Sequence, residues 1–306
     1  MDNSILNEES INVNYQNILQ GKLTNTLMMI TSKSFRLDKF NNSAVAKING
    51  FELNINDFKN YKFNSTMKRI FDIFIIKLTK SLPYKKNLAD YTKYQKISVS
   101  LSEYMTLCEL KNKTKSIEQL RNALNLIGHI QVQFTDTRFI RKNKIETEFY
   151  IFRLVQNIDR NRSEGYSIIF SLDFIKYLAN YSYIMPFPMK LLQINLRNYP
   201  FAYGIGRRLA LHHNMNIRKS NADIISVKSL LESLSLPTYE EVLNGSGNIT
   251  RYIIEPFNKN MNHLLELNIL DSWSYSDTYK NYNDWSKLYI KFSFSDYPVR
   301  ETITKS

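Results

Sequence analysis

One change of periodicity constrains this chain more than any other feature. Between Ile224 and Phe294 the apolar residues first recur at helical spacing and then at every second position. Ile224-Ile225-Ser226-Val227 is a short apolar piece that leads into the leucine-rich run KSLLESL, which Pro237 breaks. Thr238 and Glu241 stand at capping-box spacing and open a short helix, TYEEVL, which Gly245-Ser246-Gly247-Asn248 stops. A longer helix follows, with Ile253, Ile254, Phe257, Met261, Leu264 and Leu265 on one face. From Leu270 the chain alternates, passes a polar tip, DTYKNYND, and alternates again in KLYIKFSF. Short strand, helix, turn, helix, strand, tip and strand is the order of a winged helix-turn-helix, whose second helix enters the major groove of DNA.

The same order occurs earlier. Met67, Ile70, Phe71, Phe74, Ile75 and Leu78 form one helical stripe, with Ser65 as its expected N-cap and Pro83 as its end. KISVSLSEYMTLCEL reads as a short strand and a helix, with Ser100 and Glu103 at capping-box spacing. SIEQLRNALNLIG reads as a second helix capped by Ser116 and Gln119. IQVQFTDTRFI and TEFYIFRLV alternate as strands around the tip RKNK, the expected wing, and YSIIFSL follows Gly165 as a further strand. Ile97-Ser98-Val99 even echoes Ile225-Ser226-Val227. The expected fold is therefore α+β, two tandem winged helix-turn-helix domains over residues 63–184 and 185–298. Residues 1–62 form an N-terminal segment, loose up to about residue 20 and carrying the strand FELNIN, and 299–306 are a tail. The join is expected at Tyr183–Pro188, where two prolines stiffen the chain. Helices are expected in MKLLQINL and FAYGIGRRLALHHNM beyond it.

Charge matters because of where it falls on this scaffold. Lys and Arg number 41 against 28 Asp and Glu, a net +13, and a chain this basic suits a polyanion. The Lys-, Asn-, Ile- and Tyr-rich coding of A/T-rich genomes gives the same excess, so position decides. On the first reading helix Lys115, Gln119, Arg121, Asn122 and Asn125 face outward, types that pair with purine edges. The tip cations Arg138, Arg141, Lys142 and Lys144 suit phosphates or the minor groove. In the second half the outward set is Thr250, Arg251, Tyr252, Asn258, Lys259 and Asn262, with Lys280 at the wing tip. Arg207, Arg208, Arg218 and Lys219 flank the preceding helix and are candidates for the phosphate backbone. Pro256 is expected to kink the long helix or mark its start. Trp273 and Trp285 read as packing residues.

No pattern for catalysis stands out. A GxxxxGK phosphate loop is absent from the sequence. His212 and His213 are adjacent on a helical pattern, so they point about 100° apart and make a poor metal pair. The single cysteine, Cys108, excludes an internal disulfide framework. The expectation is a cytoplasmic protein that is not an enzyme, with no metal and no cofactor. No apolar run approaches the ~18 residues of a membrane span.

The run YPFAYGIGRRLALHHN, with ISVKSLLESL, LPTYEEV and RYIIEPFNKNMNHL after it, resembles the C-terminal half of plasmid and mobile-element replication initiator proteins from low-GC bacteria. IIEPFNKNMNHL is also similar to the Val-Leu-x-Pro-Ala-x-x-Glu-Ile-Asn helix of iteron-binding initiators, which use two winged helices on origin DNA. Pro256 stands at the family proline, and Asn260 replaces the glutamate that often follows it. The resemblance spans residues 187–275, and 65–175 share only the pattern. It implies that Arg251 and its neighbours approach DNA. It also implies double-stranded origin DNA with direct repeats as partner, and host helicase-loading machinery as a further one; a homodimer is also compatible. A transcription regulator with the same reading heads and a nickase-type replication enzyme are the competing readings.

Overall fold

The computed structural model describes residues 14–38, 43–48, 50–56, 63–82, 90–140, 144–160, 165–234, 236–245 and 247–298. Helix α2 (Ser65–Ser81) organises the molecule. The sequence shows one apolar stripe, yet Ile73 and Ile76 on its other sides are buried as well. A helix buried all round needs neighbours on every face. These are β1 (Tyr15–Gln20), β5 (Lys96–Val99), α4 (Lys113–Gly128) and α6 (Ala202–Asn216). The N-cap of α2 is Asn64, one residue before the expected Ser65; its carbonyl accepts from the Met67 amide at 3.0 Å.

Three charged residues of α2 are also buried, and each reaches a different neighbour. The Lys68 amine donates to the Met28 carbonyl of α1 (Lys22–Met29). Arg69 donates to the carbonyls of Leu192 and Ile194, at 3.1 and 3.0 Å. Asp72 accepts from Arg207 and Tyr203 of α6. Buried charge is tolerated only with such partners, so α2 ties the first half of the chain to the second.

The first helix-turn-helix is β5, α3 (Leu101–Leu107) and α4. Ser100 caps α3 by accepting from the Glu103 amide at 3.1 Å. The Glu103 carboxylate does not close the expected box, because Lys77 of α2 holds it at 2.7 Å. Helix α4 begins a turn earlier than its sequence suggests: Asn112 is the N-cap, and Ser116 donates to the Asn112 carbonyl.

The expected wing of this unit is corrected. The strands β6 (Ile130–Ile140) and β7 (Lys144–Arg153) do form a hairpin. They join β2 (Arg36–Asp38), β3 (Ser43–Ile48) and β4 (Phe51–Asn56) in a five-stranded sheet of order β2-β3-β4-β6-β7. The hairpin that closes the helix-turn-helix is β8 (Val155–Arg160) with β9 (Tyr166–Phe170), in a sheet of order β5-β9-β8. Gly165 is required at its return, since a Cβ there would lie 2.9 Å from the Val99 carbonyl oxygen.

The second unit repeats this plan. β11 (Ile224–Ser226), β13 (Tyr289–Phe294) and β12 (Leu270–Tyr275) form a sheet of order β11-β13-β12. The outer strands β8 and β12 each slip register just after their first residue, at Val155/Asn157 and Leu270/Ser272. This shared bulge supports the repeat more firmly than the three-residue echo. Helices α7 (Val227–Leu231), α8 (Tyr239–Asn244) and α9 (Glu255–Glu266) lie between the strands. The capping box of Thr238 and Glu241 is present. The polar tip contains one further turn of helix, α10 (Tyr282–Ser286), which buries Trp285 completely.

Two expectations around the join are corrected. Residues 15–20, expected to be loose, form β1, antiparallel to β10 (Tyr183–Pro188). The prolines do not prevent this. Met189 donates to the Asn14 carbonyl, so the odd-numbered residues face β1 and Pro186 and Pro188 face the outer edge, where no N–H is needed. The Pro186 carbonyl on that edge accepts from the Tyr297 hydroxyl at 3.3 Å. MKLLQINL gives only a short 3-10 turn, Met189–Gln193, before α6 begins after Pro200. Helix α5 (Leu172–Tyr181) precedes β10, and α6, between β10 and β11, carries the chain into the second unit.

Candidate nucleic-acid interface

Helix α4 presents a polar face built as expected. Lys115, Arg121, Asn122 and Asn125 are exposed, while Leu120, Ala123, Leu124 and Ile127 are buried behind them. Gln119 is half-buried and its carbonyl accepts from the Tyr104 hydroxyl at 3.2 Å, so it braces α3 against α4. Burial pushes the Tyr104 hydroxyl up to about 12, which keeps it a donor at any physiological pH.

The long helix of the second unit enters through a π turn, Thr250–Ile254. Pro256 explains it. A proline has no N–H and its ring crowds the carbonyl four residues back, so the Glu255 amide reaches five residues back to Thr250 instead. The turn pushes Arg251 and Tyr252 outward. Both are exposed, and the Arg251 guanidinium lies 5.7 Å from the Tyr252 ring centre. Thr250 is exposed at the start of the turn, and Lys259 is exposed one turn into α9, above the Tyr199 ring at 5.2 Å.

Asn258 and Asn262, expected to contact bases, hold bonds within the protein. The Asn262 carbonyl accepts from Trp273 Nε1 at 3.0 Å, and the Asn258 carbonyl accepts from the Tyr275 hydroxyl. Pairing with adenine needs that carbonyl together with the amide nitrogen. In this arrangement both asparagines fasten α9 to β12. Trp285 Nε1 donates to the same Tyr275 hydroxyl at 2.8 Å, extending the bracket into the core.

The cations near α6 divide. Arg207 is corrected: it is 3% exposed and cannot touch a phosphate. Its Nε donates to Asp72 Oδ2 at 2.9 Å, another nitrogen reaches Gln20, and its Cζ lies 5.5 Å from the Phe187 ring centre. Burial opposes its charge, but Asp72 beside it, with Tyr203 and Tyr183, outweighs that and leaves its pKa above the usual value. Arg208 is half-buried near Glu232, and burial holds its pKa below the usual value. Arg218 and Lys219 are exposed on the turn after α6, and Lys280 is exposed at the second hairpin's tip. The adjacent histidines hold that turn in place: His213 Nδ1 lies 2.6 Å from Asp223, and His212 Nε2 lies 3.1 Å from the Asn221 carbonyl.

Arg141 and Lys142 lie outside the described residues, as do the side chains of Arg138 and Lys144, whose backbones are in β6 and β7. Sequence reasoning missed the residues of the true first wing. Arg160 ends β8, exposed, and the sequence Asn161-Arg162 continues from it. A cation pair just before Gly165 is the signal that could have found them. Lys287 and Lys291, exposed on the second hairpin, were also missed. So was Asn260, which is 1% exposed and accepts from the Phe201 and Ala202 amides at 3.1 and 2.8 Å. It caps α6, whose own N-cap residue offers no side-chain bond.

Two helix-turn-helix units on one chain, each closed by a β-hairpin, define an α+β tandem winged-helix protein. The Pi initiator protein, in its crystal structure in complex with iteron DNA, is similar with a TM-score of 0.56 at 12% identity, over 92% of this chain and 99% of that one. Domains 2 and 3 of RctB are similar with a TM-score of 0.50 at 12% identity, over 91% of this chain and 97% of that one. The chain matches no protein-family model and no curated protein. No helix among the described residues is long and apolar enough to cross a membrane.

Proposed function

We propose that this chain is a sequence-specific, double-stranded-DNA-binding replication initiator of a plasmid or mobile element, acting in the cytoplasm and without catalysis. One observation carries the reading. The exposed faces of α4 and of the Thr250–Glu266 helix hold Lys, Arg, Asn and Tyr on the fold of a protein crystallised on iteron DNA. The proposed reading heads fall within 63–184 and 185–298, the first extended by the sheet that β2, β3 and β4 complete. In each, the helix reads base edges and the hairpin lies along the backbone. Tethering makes the second head's contact nearly intramolecular and raises affinity over either head alone. Arg218, Lys219 and Lys280 then supply backbone contacts around the second helix. Host helicase-loading machinery and a second copy of the chain are the further partners this reading proposes.

The test is fluorescence anisotropy with duplexes cut from the DNA beside the gene, followed by transformation with a minimal replicon carrying gene and flanking DNA. Tight, salt-dependent binding to a direct repeat and replication of the plasmid are expected. Binding without replication would leave a transcription regulator. A covalent protein–DNA adduct on supercoiled DNA with Mg²⁺ would replace the reading with a nickase.

A further inference from the structure

A cavity of about 420 Å³ opens between α2, the turn joining α3 to α4, and the chain after β10. That volume lies within the ~300–1,000 Å³ range of small-ligand sites. Its lining includes Arg69, Lys111, Lys115 and Arg197 against one carboxylate, Glu109. Arg69 is the unusual member. It is 2% exposed, yet among the described residues its guanidinium reaches two carbonyl dipoles and the Tyr104 hydroxyl rather than a carboxylate, and its Nε has no hydrogen-bond partner. Arg207, equally buried, has Asp72. A buried guanidinium without a counter-anion is costly, and an anion brought into the cavity relieves that cost. The first turn of α4, a helix of 16 residues, adds the positive end of its dipole to the same wall.

We propose that this cavity binds a phosphate oxyanion, with Arg69 as the buried counter-charge and Lys111, Lys115 and Arg197 closing around it. The phosphate comes either from a small phosphorylated solute or from a DNA strand passing the first reading helix. The inference stands on the cavity and does not need the DNA-binding reading.

The experiment titrates the full chain with pyrophosphate by calorimetry, with sodium chloride at matched ionic strength as reference. The variants are Lys111→Gln and Arg197→Gln, both at exposed positions, with Lys176→Gln on α5 as a charge-matched control. Saturable one-to-one binding is expected, weakened about tenfold by each cavity variant as a charge-assisted contact is lost, and unchanged in the control. If pyrophosphate does not bind but Arg197→Gln lowers the salt slope of duplex binding by about one unit, the phosphate is the DNA's own. Pyrophosphate binding that ignores both cavity variants overturns the proposal. So does the absence of both effects. A chain that takes pyrophosphate but no duplex keeps the cavity site and loses the replication reading.

Discussion

Replacing Asp72 by Ala isolates the contact that couples the two halves of the molecule. The carboxylate is 2% exposed and accepts from Arg207 Nε and the Tyr203 hydroxyl. Its removal leaves the Arg207 guanidinium buried beside Gln20, Met185 and the Phe187 ring, with no carboxylate paired to it among the described residues. Breaking one side of such a pair costs about 3–5 kcal/mol. For a chain of 306 residues, an unfolding entropy of ~2.1 cal/mol/K per residue turns that into a melting point lower by about 5–8 °C. The assay is thermal unfolding followed by far-ultraviolet circular dichroism and by the fluorescence of buried Trp285. Arg207→Ala should fall similarly, while Asp72→Leu combined with Arg207→Met should recover most of the loss, because neither charge is then left alone. If Arg207→Ala melts within ~1 °C of the parent and instead lowers the salt slope of DNA binding by about one unit, the guanidinium lies on a phosphate and the reasoning fails.

Arg251→Ala should weaken cognate duplex by about 1–3 kcal/mol and random duplex far less; equal losses in anisotropy titrations would remove it from base reading. Arg121→Ala and Lys280→Ala are compared on both duplexes: loss on both with a salt slope lower by about one unit marks a phosphate contact. Asn260→Leu should lower stability by about 1–3 kcal/mol in urea unfolding, because the Phe201 and Ala202 amides lose their acceptor; an unchanged midpoint would refute the capping role. Lys68 gives a pH dependence. Burial, partly offset by Asp72, holds its pKa at about 7, far below the usual lysine value. Between pH ~7 and ~10.4 the unfolded chain therefore binds a proton that the folded chain does not, so this residue makes stability rise with pH across that window. Lys68→Met should flatten that rise and raise stability near pH 7, as read by melting points across pH.

What the sequence determined by itself was local. Helical and alternating spacing located β4, α2, α4, the π-to-α9 helix and the second hairpin, because backbone hydrogen bonds and side-chain burial repeat with fixed periods. Thr238 with Glu241 located the start of α8, because a cap satisfies amides within one turn. Most of the outward positions of α4 and of the helix from Thr250 were legible for the same reason, since they are what remains when the apolar face is assigned. Tertiary structure decided what lies far apart along the chain. The β6–β7 hairpin pairs with β4 and leaves the wing to β8–β9, a choice of partner that periodicity cannot express. Arg207 and Arg251 are alike as letters on helical stretches, but Asp72 meets the one and solvent the other. Asn258 and Asn262 face outward by spacing and are then taken by the side chains of β12. Spacing along a helix fixes which face a side chain occupies; what it meets there depends on strands and helices brought together only by folding.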